Sequence, residues 1–210
     1  MKNDKTAELF SRYPCLRVCE NDLCRALDLM KKTYLGGGVI YTCGNGGSCS
    51  DSDHIVGELM KGFLCRRTVS DEEKAVLSAY FPDIPDIETK FQRGVPAVSL
   101  TAQSAILSAF ANDVDADFVY AQLVYGYAKA GDLVMGLSTS GNSKNVVNAV
   151  KAAKARGAFT MALTGEKESL LSALCDVTVR VPETETFKVQ ELHLPVYHYL
   201  CAALEAEFFE

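Results

Sequence analysis

Five short apolar runs, separated by longer segments of mixed polarity, constrain the fold of this 210-residue chain more than any other feature. The runs occupy residues 39–42, 97–100, 133–137, 159–163 and 177–181. Each has the length of one strand, and several are rich in β-branched residues. Residues 51–61, 102–111, 117–130 and 145–156, which lie between the runs, have helical character and few helix breakers. This alternation predicts βαβ units, and therefore an α/β fold whose parallel sheet is covered by helices on both faces.

Additional segments flank and interrupt this pattern. Residues 20–34 predict an amphipathic helix, and residues 186–209 predict a longer helix that contains one proline. Residues 69–94 carry two prolines, many charges and no clean period, so we interpret them as an insertion that is either a functional lid or a surface addition. We predict a single domain over 1–210, with N-terminal helices in 1–36.

The overall charge limits the classes of partner. The net charge is −6 and the pI is about 5.2, which argues against binding to nucleic acid or to an anionic membrane surface. An apolar run of the roughly 18 residues that a membrane span needs is absent from the sequence. The eight cysteines form no C-x-x-C pair, and the N-terminus lacks a secretory pattern, so we expect a cytoplasmic protein with reduced thiols. An anionic substrate would need a local binding device.

A glycine-rich turn is the first candidate for such a device. Residues 43–48 read Cys-Gly-Asn-Gly-Gly-Ser, and they follow a predicted strand and precede a predicted helix. Glycines allow close approach of a ligand to the backbone, and a helix N-terminus presents free N–H groups to anions. Asn45, Gly46, Gly47 and Ser48 are therefore candidate ligand-binding residues. The alternative is a simple strand-to-helix turn without a ligand.

A hydroxyl-rich turn is the second candidate. Ser138, Thr139, Ser140 and Ser143 also lie between a predicted strand and a predicted helix. Hydroxyl donors beside a helix N-terminus form a good phosphate site, whereas capping the helix would require only one of them. Both turns follow strands of one predicted sheet, and ligands of open α/β sheets bind at the carboxyl ends of the strands. The two turns therefore fit a single anion site.

Acid–base groups are concentrated on two predicted helices. His54 and Glu58 are four residues apart and share a helix face, so they can act as acid and base, bind a metal, or form an ordinary surface ion pair. Gln190, His193 and His198 lie on the last helix, where any histidine can also be a structural core residue.

Three stretches resemble one known family. Residues 43–59, 131–157 and 189–198 occur in the order found in SIS (sugar isomerase) domain proteins, and the Asn112–Asp113 pair also matches. The Gly-Asn-Gly-Gly-Ser turn with its downstream His and Glu, together with the Gln and His of the last helix, is similar to the phosphoheptose isomerase branch. The resemblance implies a flavodoxin-like, three-layer αβα sandwich with a five-stranded parallel sheet, and assembly as a homotetramer.

The resemblance also implies an activity and a role for each matching residue. Family members convert sedoheptulose 7-phosphate into D-glycero-D-manno-heptose 7-phosphate through an enediol(ate), without a nucleotide or redox cofactor. Glu58 would be the catalytic base and His198 its acid–base partner. The substrate-binding residues would be Asn45, Gly46, Gly47, Ser48, Asn112, Asp113, Ser138, Thr139, Ser140, Ser143 and Gln190. The ligands of one zinc ion per subunit would be His54, Glu58, Gln190 and His198.

The chain departs from the family pattern at two positions, which leaves alternatives open. Phe187 replaces an aspartate, and Gly62 replaces a basic residue. One alternative is an isomerase of another sugar phosphate, for example an amino-sugar phosphate. Another is a non-catalytic SIS scaffold that binds a replication initiator protein, although a scaffold does not need Glu58, Gln190 and His198. A DNA-reading sugar sensor is disfavoured because few residues precede the first predicted strand and they form no basic patch.

Overall fold

The computed structural model describes residues 2–209 and, within the first helix, side chains from residue 5 onward. Its sheet consists of the parallel strands β1 (Ile40–Gly44), β2 (Ala97–Ser99), β3 (Leu133–Leu137), β4 (Phe159–Thr164) and β5 (Val177–Arg180). The strand order is β2-β1-β3-β4-β5. Because the order reverses between β1 and β3, the carboxyl ends of these two strands flank the crevice where ligands of such sheets bind. Gly44 pairs with Leu137, so both strands end at the same level.

Helices cover both faces of the sheet. The α-helices are α1 (Lys2–Arg12), α2 (Glu20–Leu35), α3 (Gly47–Met60), α4 (Asp71–Tyr80), α5 (Ser104–Phe110), α6 (Val119–Tyr127), α7 (Lys144–Ala155), α8 (Leu170–Leu174) and α9 (Thr186–Phe208). Helices α1, α2, α3 and α9 enclose one hydrophobic core with residues such as Met135 and Leu163 of the sheet. Helices α6, α7 and α8 enclose a second core on the other face, with Tyr41, Cys43 and Val134. The predicted three-layer αβα sandwich with a five-stranded parallel sheet is confirmed.

The elements match the predicted boundaries with two informative differences. Each predicted strand lies within two residues of an observed one, but α3 begins at Gly47 instead of residue 51. Gly46 has a φ of 55°, a conformation that glycine adopts readily, and this turns the chain directly from β1 into the helix. Helix α8 was missed because it is only five residues long, although Ser169 and Ser172 form a capping box at its start.

The insertion and the chain ends also have defined structure. Within 69–94, α4 begins with a capping box between Ser70 and Glu73 and buries none of its residues. A 3₁₀ turn, Ile87–Lys90, follows it. Helix α9 continues through Pro195. Over residues 2–209, every helix is either too short or too polar to span a bilayer.

Candidate active site

The hydroxyl-rich turn follows β3 and leads into α7. Ser138 is buried, and its Oγ lies 3.0 Å from Oγ of Ser143. Ser143 occupies the N-cap position of α7, yet its side chain makes no capping hydrogen bond. Gly141, with a φ of 66°, bends the chain between them. The hydroxyl of Ser143 is therefore directed toward Ser138 instead of toward the helix amides, which is the arrangement expected of an anion cradle rather than of a cap.

The glycine-rich turn lies beside this hydroxyl turn. The side chains of Asn45 and Asn145 exchange two hydrogen bonds of 2.8 and 2.9 Å, which join the turn after β1 to the first residues of α7. The Tyr120 hydroxyl donates to the Gly44 carbonyl at 2.7 Å and supports the same turn from α6. The prediction that the two turns share one edge of the sheet is confirmed. Asn145 and Tyr120 carry no motif, so the sequence did not identify them.

The first turn of α3 also contacts α9. A Cβ atom at Gly47 would lie 2.1 Å from Nε2 of Gln190, so any larger residue here would displace the Gln190 side chain. Ser48 is buried directly after it, and Gln190 also acts on Asp51, one turn further along α3, by lowering the pKa of its carboxyl group. The structure therefore places Gln190 beside the glycine-rich turn.

His54, Glu58 and His198 form an acid–base cluster further along the α3–α9 contact. Nε2 of His54 lies 3.1 Å from Oε1 of Glu58, and the rings of His54 and His198 are 5.0 Å apart. Among the described residues, Oε2 of Glu58 and Nε2 of His198 are buried without a hydrogen-bond partner, and Nζ of Lys61 lies 3.5 Å from that Glu58 oxygen. Burial, followed by the charge of His54, lowers the pKa of His198, so its imidazole is neutral near neutral pH.

A hydrogen-bonded chain continues from His54 into the interior. The Tyr197 hydroxyl lies 3.0 Å from Nδ1 of His54 and donates to Oδ1 of Asp51 at 3.3 Å. Burial raises the pKa of Asp51, and its hydrogen bonds with Tyr197 and Gln190 act in the opposite direction. Neither Asp51 nor Tyr197 was among the residues that the sequence identified.

The C-terminal end of α3 is held by a buried ion pair. Nε of Arg67 lies 2.8 Å from Oε1 of Glu205, and both side chains are fully buried. The Arg67 guanidinium donates to the carbonyl oxygens of Leu59 and Glu58. Glu205 accepts three further hydrogen bonds from the backbone of residues 63–65. The ion pair therefore fixes the backbone at Glu58.

The expected zinc ligands do not all lie together within the chain. Gln190 and His198 are eight residues apart on α9, which is about 12 Å along the helix axis. Imidazole and carboxylate groups suit zinc, and among the described residues Oε2 of Glu58 and Nε2 of His198 have no hydrogen-bond partner. Within residues 2–209, however, no three His, Cys, Asp or Glu side chains converge closely enough to hold a metal ion.

The remaining predicted positions have separate environments. Asn112 and Asp113 lie in an exposed π-helical turn, Ala111–Asp115, and the Asn112 amide donates to Asp113 at 2.8 Å. His193 is a structural histidine: it is fully buried, and burial lowers its pKa to about 4.

The two departures from the family pattern also differ in their surroundings. Phe187 is exposed in the first turn of α9. A Cβ at Gly62 would lie 2.2 Å from the Cys65 carbonyl oxygen and 2.6 Å from Gln92 Oε1. The Gly62 N–H donates to that same Gln92 oxygen. Close packing against the end of the insertion therefore explains the glycine.

Comparison with known proteins places the chain among sugar-phosphate isomerases. A family model described as SIS domain matches residues 107–203. The chain is 32% identical over 192 residues to the phosphoheptose isomerase of Aliarcobacter butzleri, covering 91% of this chain and 88% of that protein. It is 32% identical over 213 residues to the phosphoheptose isomerase of Pelobacter propionicus, covering 100% of both. The solved structure of phosphoheptose isomerase GmhA from Neisseria gonorrhoeae matches with a TM-score of 0.72 and 28% identity, covering 98% of this chain and 100% of that chain.

Proposed function

The chain belongs to the phosphoheptose isomerase family, and from this membership we propose that it converts sedoheptulose 7-phosphate into D-glycero-D-manno-heptose 7-phosphate. It is an aldose–ketose isomerase. The main observation that supports this assignment concerns α3. The helix begins in the glycine-rich turn, and it places His54 and Glu58 next to His198.

The chemistry requires one base and one group that moves a proton between two oxygens. Glu58 takes a proton from C1 of the ketose, which forms the enediol(ate), and returns a proton to C2. His198, as a neutral imidazole, donates a proton to the C2 oxygen and accepts one from the C1 hydroxyl. The hydroxyl turn and the glycine-rich turn hold the phosphate. Asn112 and Asp113 are proposed to line the sugar pocket.

We also propose that the acid–base cluster binds zinc. His54, Glu58 and His198 would hold the ion only after moving closer together than they lie among the described residues, and Gln190 would have to leave its position beside the glycine-rich turn to join them. A bound zinc ion supplies Lewis-acid polarisation of the substrate carbonyl.

Turnover of sedoheptulose 7-phosphate by the purified protein tests the proposed function. Formation of the aldose, with and without added zinc, supports the isomerase. Thermal stabilisation by several phosphosugars without turnover of this one would favour an isomerase of another sugar phosphate. If the protein neither converted sedoheptulose 7-phosphate nor bound any of the phosphosugars, the scaffold alternative would be favoured and the proposal contradicted.

Removing the two facing hydroxyls should weaken substrate binding without changing the chemical step. In a Ser138→Ala/Ser143→Ala double variant we expect KM to rise at least about 100-fold with kcat nearly unchanged, because each hydrogen bond to a charged group contributes roughly 1.5–3 kcal/mol. Steady-state kinetics measure both constants. Ser78→Ala, an exposed serine on α4, is the matched control. An unchanged KM would show that the phosphate binds elsewhere.

We propose a homotetramer, and the exposed segment 104–118 as part of its interface. Ile106, Val114 and Phe118 expose apolar surface there, next to Asn112 and Asp113. Val114→Glu should therefore lower the mass in solution below four times the 22.8 kDa of one chain, as measured by light scattering. Val18→Glu is the control, because Val18 is 76% exposed and Val114 is 66% exposed. A tetramer that tolerates Val114→Glu would exclude this segment from the interface.

We also propose that the chain forms a single domain and that the protein is cytoplasmic. The core beneath α1 and α2 is continuous with that of α3 and α9, which supports one domain over 1–210 with 1–36 and 69–94 as additions to the SIS core. All eight cysteines are free thiols, which supports a reducing, cytoplasmic location.

A further inference from the structure

A buried tyrosine connects the acid–base cluster to the protein interior. Tyr197 is only 1% exposed, and its hydroxyl contacts both Asp51 and Nδ1 of His54. By contrast, 41% of the His54 side chain is exposed, so packing alone does not hold the ring in one orientation. The hydrogen bond with the buried Tyr197 hydroxyl therefore restricts the orientation of this half-exposed ring.

The direction of the Tyr197–Asp51 hydrogen bond bears on which nitrogen of His54 carries its proton. A tyrosine hydroxyl has a single hydrogen, and here it is donated to the carboxylate of Asp51. With that hydrogen committed to Asp51, the hydroxyl oxygen can bond Nδ1 of His54, 3.0 Å away, only as an acceptor. In the neutral ring, Nε2 is left with a lone pair, and this nitrogen faces Oε1 of Glu58 at 3.1 Å.

The contact between this lone pair and a carboxylate oxygen is stabilising only when a proton or a cation lies between the two atoms. An unprotonated Nε2 is also what His54 needs to exchange a proton with Glu58 or to bind a metal ion. A histidine held by the opposite nitrogen would present an N–H group at the same place and would remain bonded to the carboxylate of Glu58.

We propose that Tyr197, held by Asp51, is a positioning residue that fixes His54 as the Nδ1–H tautomer and aims its Nε2 lone pair at Glu58. The sequence contained no sign of this role, because Tyr197 has the pattern of an apolar core residue on α9. The kinetic consequence rests on the proposed function, whereas the tautomer itself does not.

Nitrogen NMR of the histidine side chains tests the tautomer directly. The chain has three histidines, so ¹⁵N-histidine labelling gives a spectrum that a His54→Gln variant assigns. At mildly alkaline pH we expect His54 to be protonated at Nδ1 in the wild type and to lose this preference in Tyr197→Phe. Tyr199→Phe is the matched control, because Tyr199 is also buried on α9 and its hydroxyl lies 3.0 Å from Oγ1 of Thr6.

Two further readouts separate positioning from general packing. Tyr197→Phe should lower kcat by about 10- to 100-fold with KM within twofold, and should weaken binding of Zn²⁺ alone by a similar factor in calorimetry, since partners of this kind typically contribute that much. Tyr199→Phe should change neither. A wild-type His54 protonated at Nε2 would overturn the proposal whether or not the variant folds, and so would an unchanged tautomer in Tyr197→Phe. Because the spectra require no turnover, these outcomes are independent of whether the protein isomerises sedoheptulose 7-phosphate.

Discussion

Replacing Glu58 by glutamine is expected to lower kcat for sedoheptulose 7-phosphate isomerisation by about 1000-fold, within the roughly 10²–10⁴-fold that a positioned general base contributes. Glutamine keeps the volume and the hydrogen-bonding oxygen of the side chain but cannot accept the C1 proton. Because α3 begins at Gly47, eleven residues before Glu58, and the hydroxyl turn lies outside α3, phosphosugar binding should remain nearly intact. Steady-state kinetics and a thermal-shift titration with the substrate measure the two effects.

Proton exchange provides a more direct test of the same assignment. In deuterated water the wild type should exchange the C1 proton of the ketose with solvent, and Glu58→Gln should not. Glu191→Gln is the matched control, since Glu191 is exposed on α9. We expect Glu58→Gln to fold with a nearly unchanged melting temperature, because Oε2 of Glu58 has no hydrogen-bond partner and its ion pair with the exposed Lys61 is long, at 3.5 Å. Normal exchange in this variant would assign the base to another residue.

The sheet and the anion cradle could be predicted because their signals are local. Each strand is a short apolar run, and each cradle turn directly follows one of these runs. The strand ends therefore fix the position of Ser138 and Ser143 relative to Asn45 without knowledge of the helices. The start of α3 was placed too late because glycine and serine have low helix propensity, whereas here they form its first turn.

The parts of the site that were missed depend on contacts between distant segments. Asn45 and Asn145 are 100 residues apart, and Tyr197 and His54 are 143 apart. A single sequence does not show which residues of two helices face each other. Arg67 illustrates the same limit: a charged residue beside an insertion is ordinarily a surface residue, yet it is fully buried against a partner 138 residues away.

The ion pair between Arg67 and Glu205 should have the largest effect on stability. We expect Arg67→Met to lower the free energy of unfolding by about 3–5 kcal/mol, because it leaves a buried carboxylate without its counter-charge. Burial alone would raise the pKa of Glu205, but hydrogen bonds from the backbone of Phe63 and Leu64 and from Arg67 hold it below its ordinary value. Urea unfolding at fixed protein concentration measures the change. Lys74→Met, which removes the more exposed pair with Glu88, is the control and should leave the midpoint unchanged.

The double variant Arg67→Met/Glu205→Leu distinguishes an isolated ion pair from a backbone clamp. An isolated buried pair is often replaced by apolar residues without loss of stability. Here the replacement also removes the partners of the carbonyl groups of Leu59 and Glu58 and of the amides of residues 63–65. Since unpaired buried backbone groups are costly, we expect the double variant to remain destabilised, by less than the sum of the single changes. Full recovery of wild-type stability would mean that the pair does not hold the end of α3, and Glu58 would then owe its position to the α3–α9 contact alone.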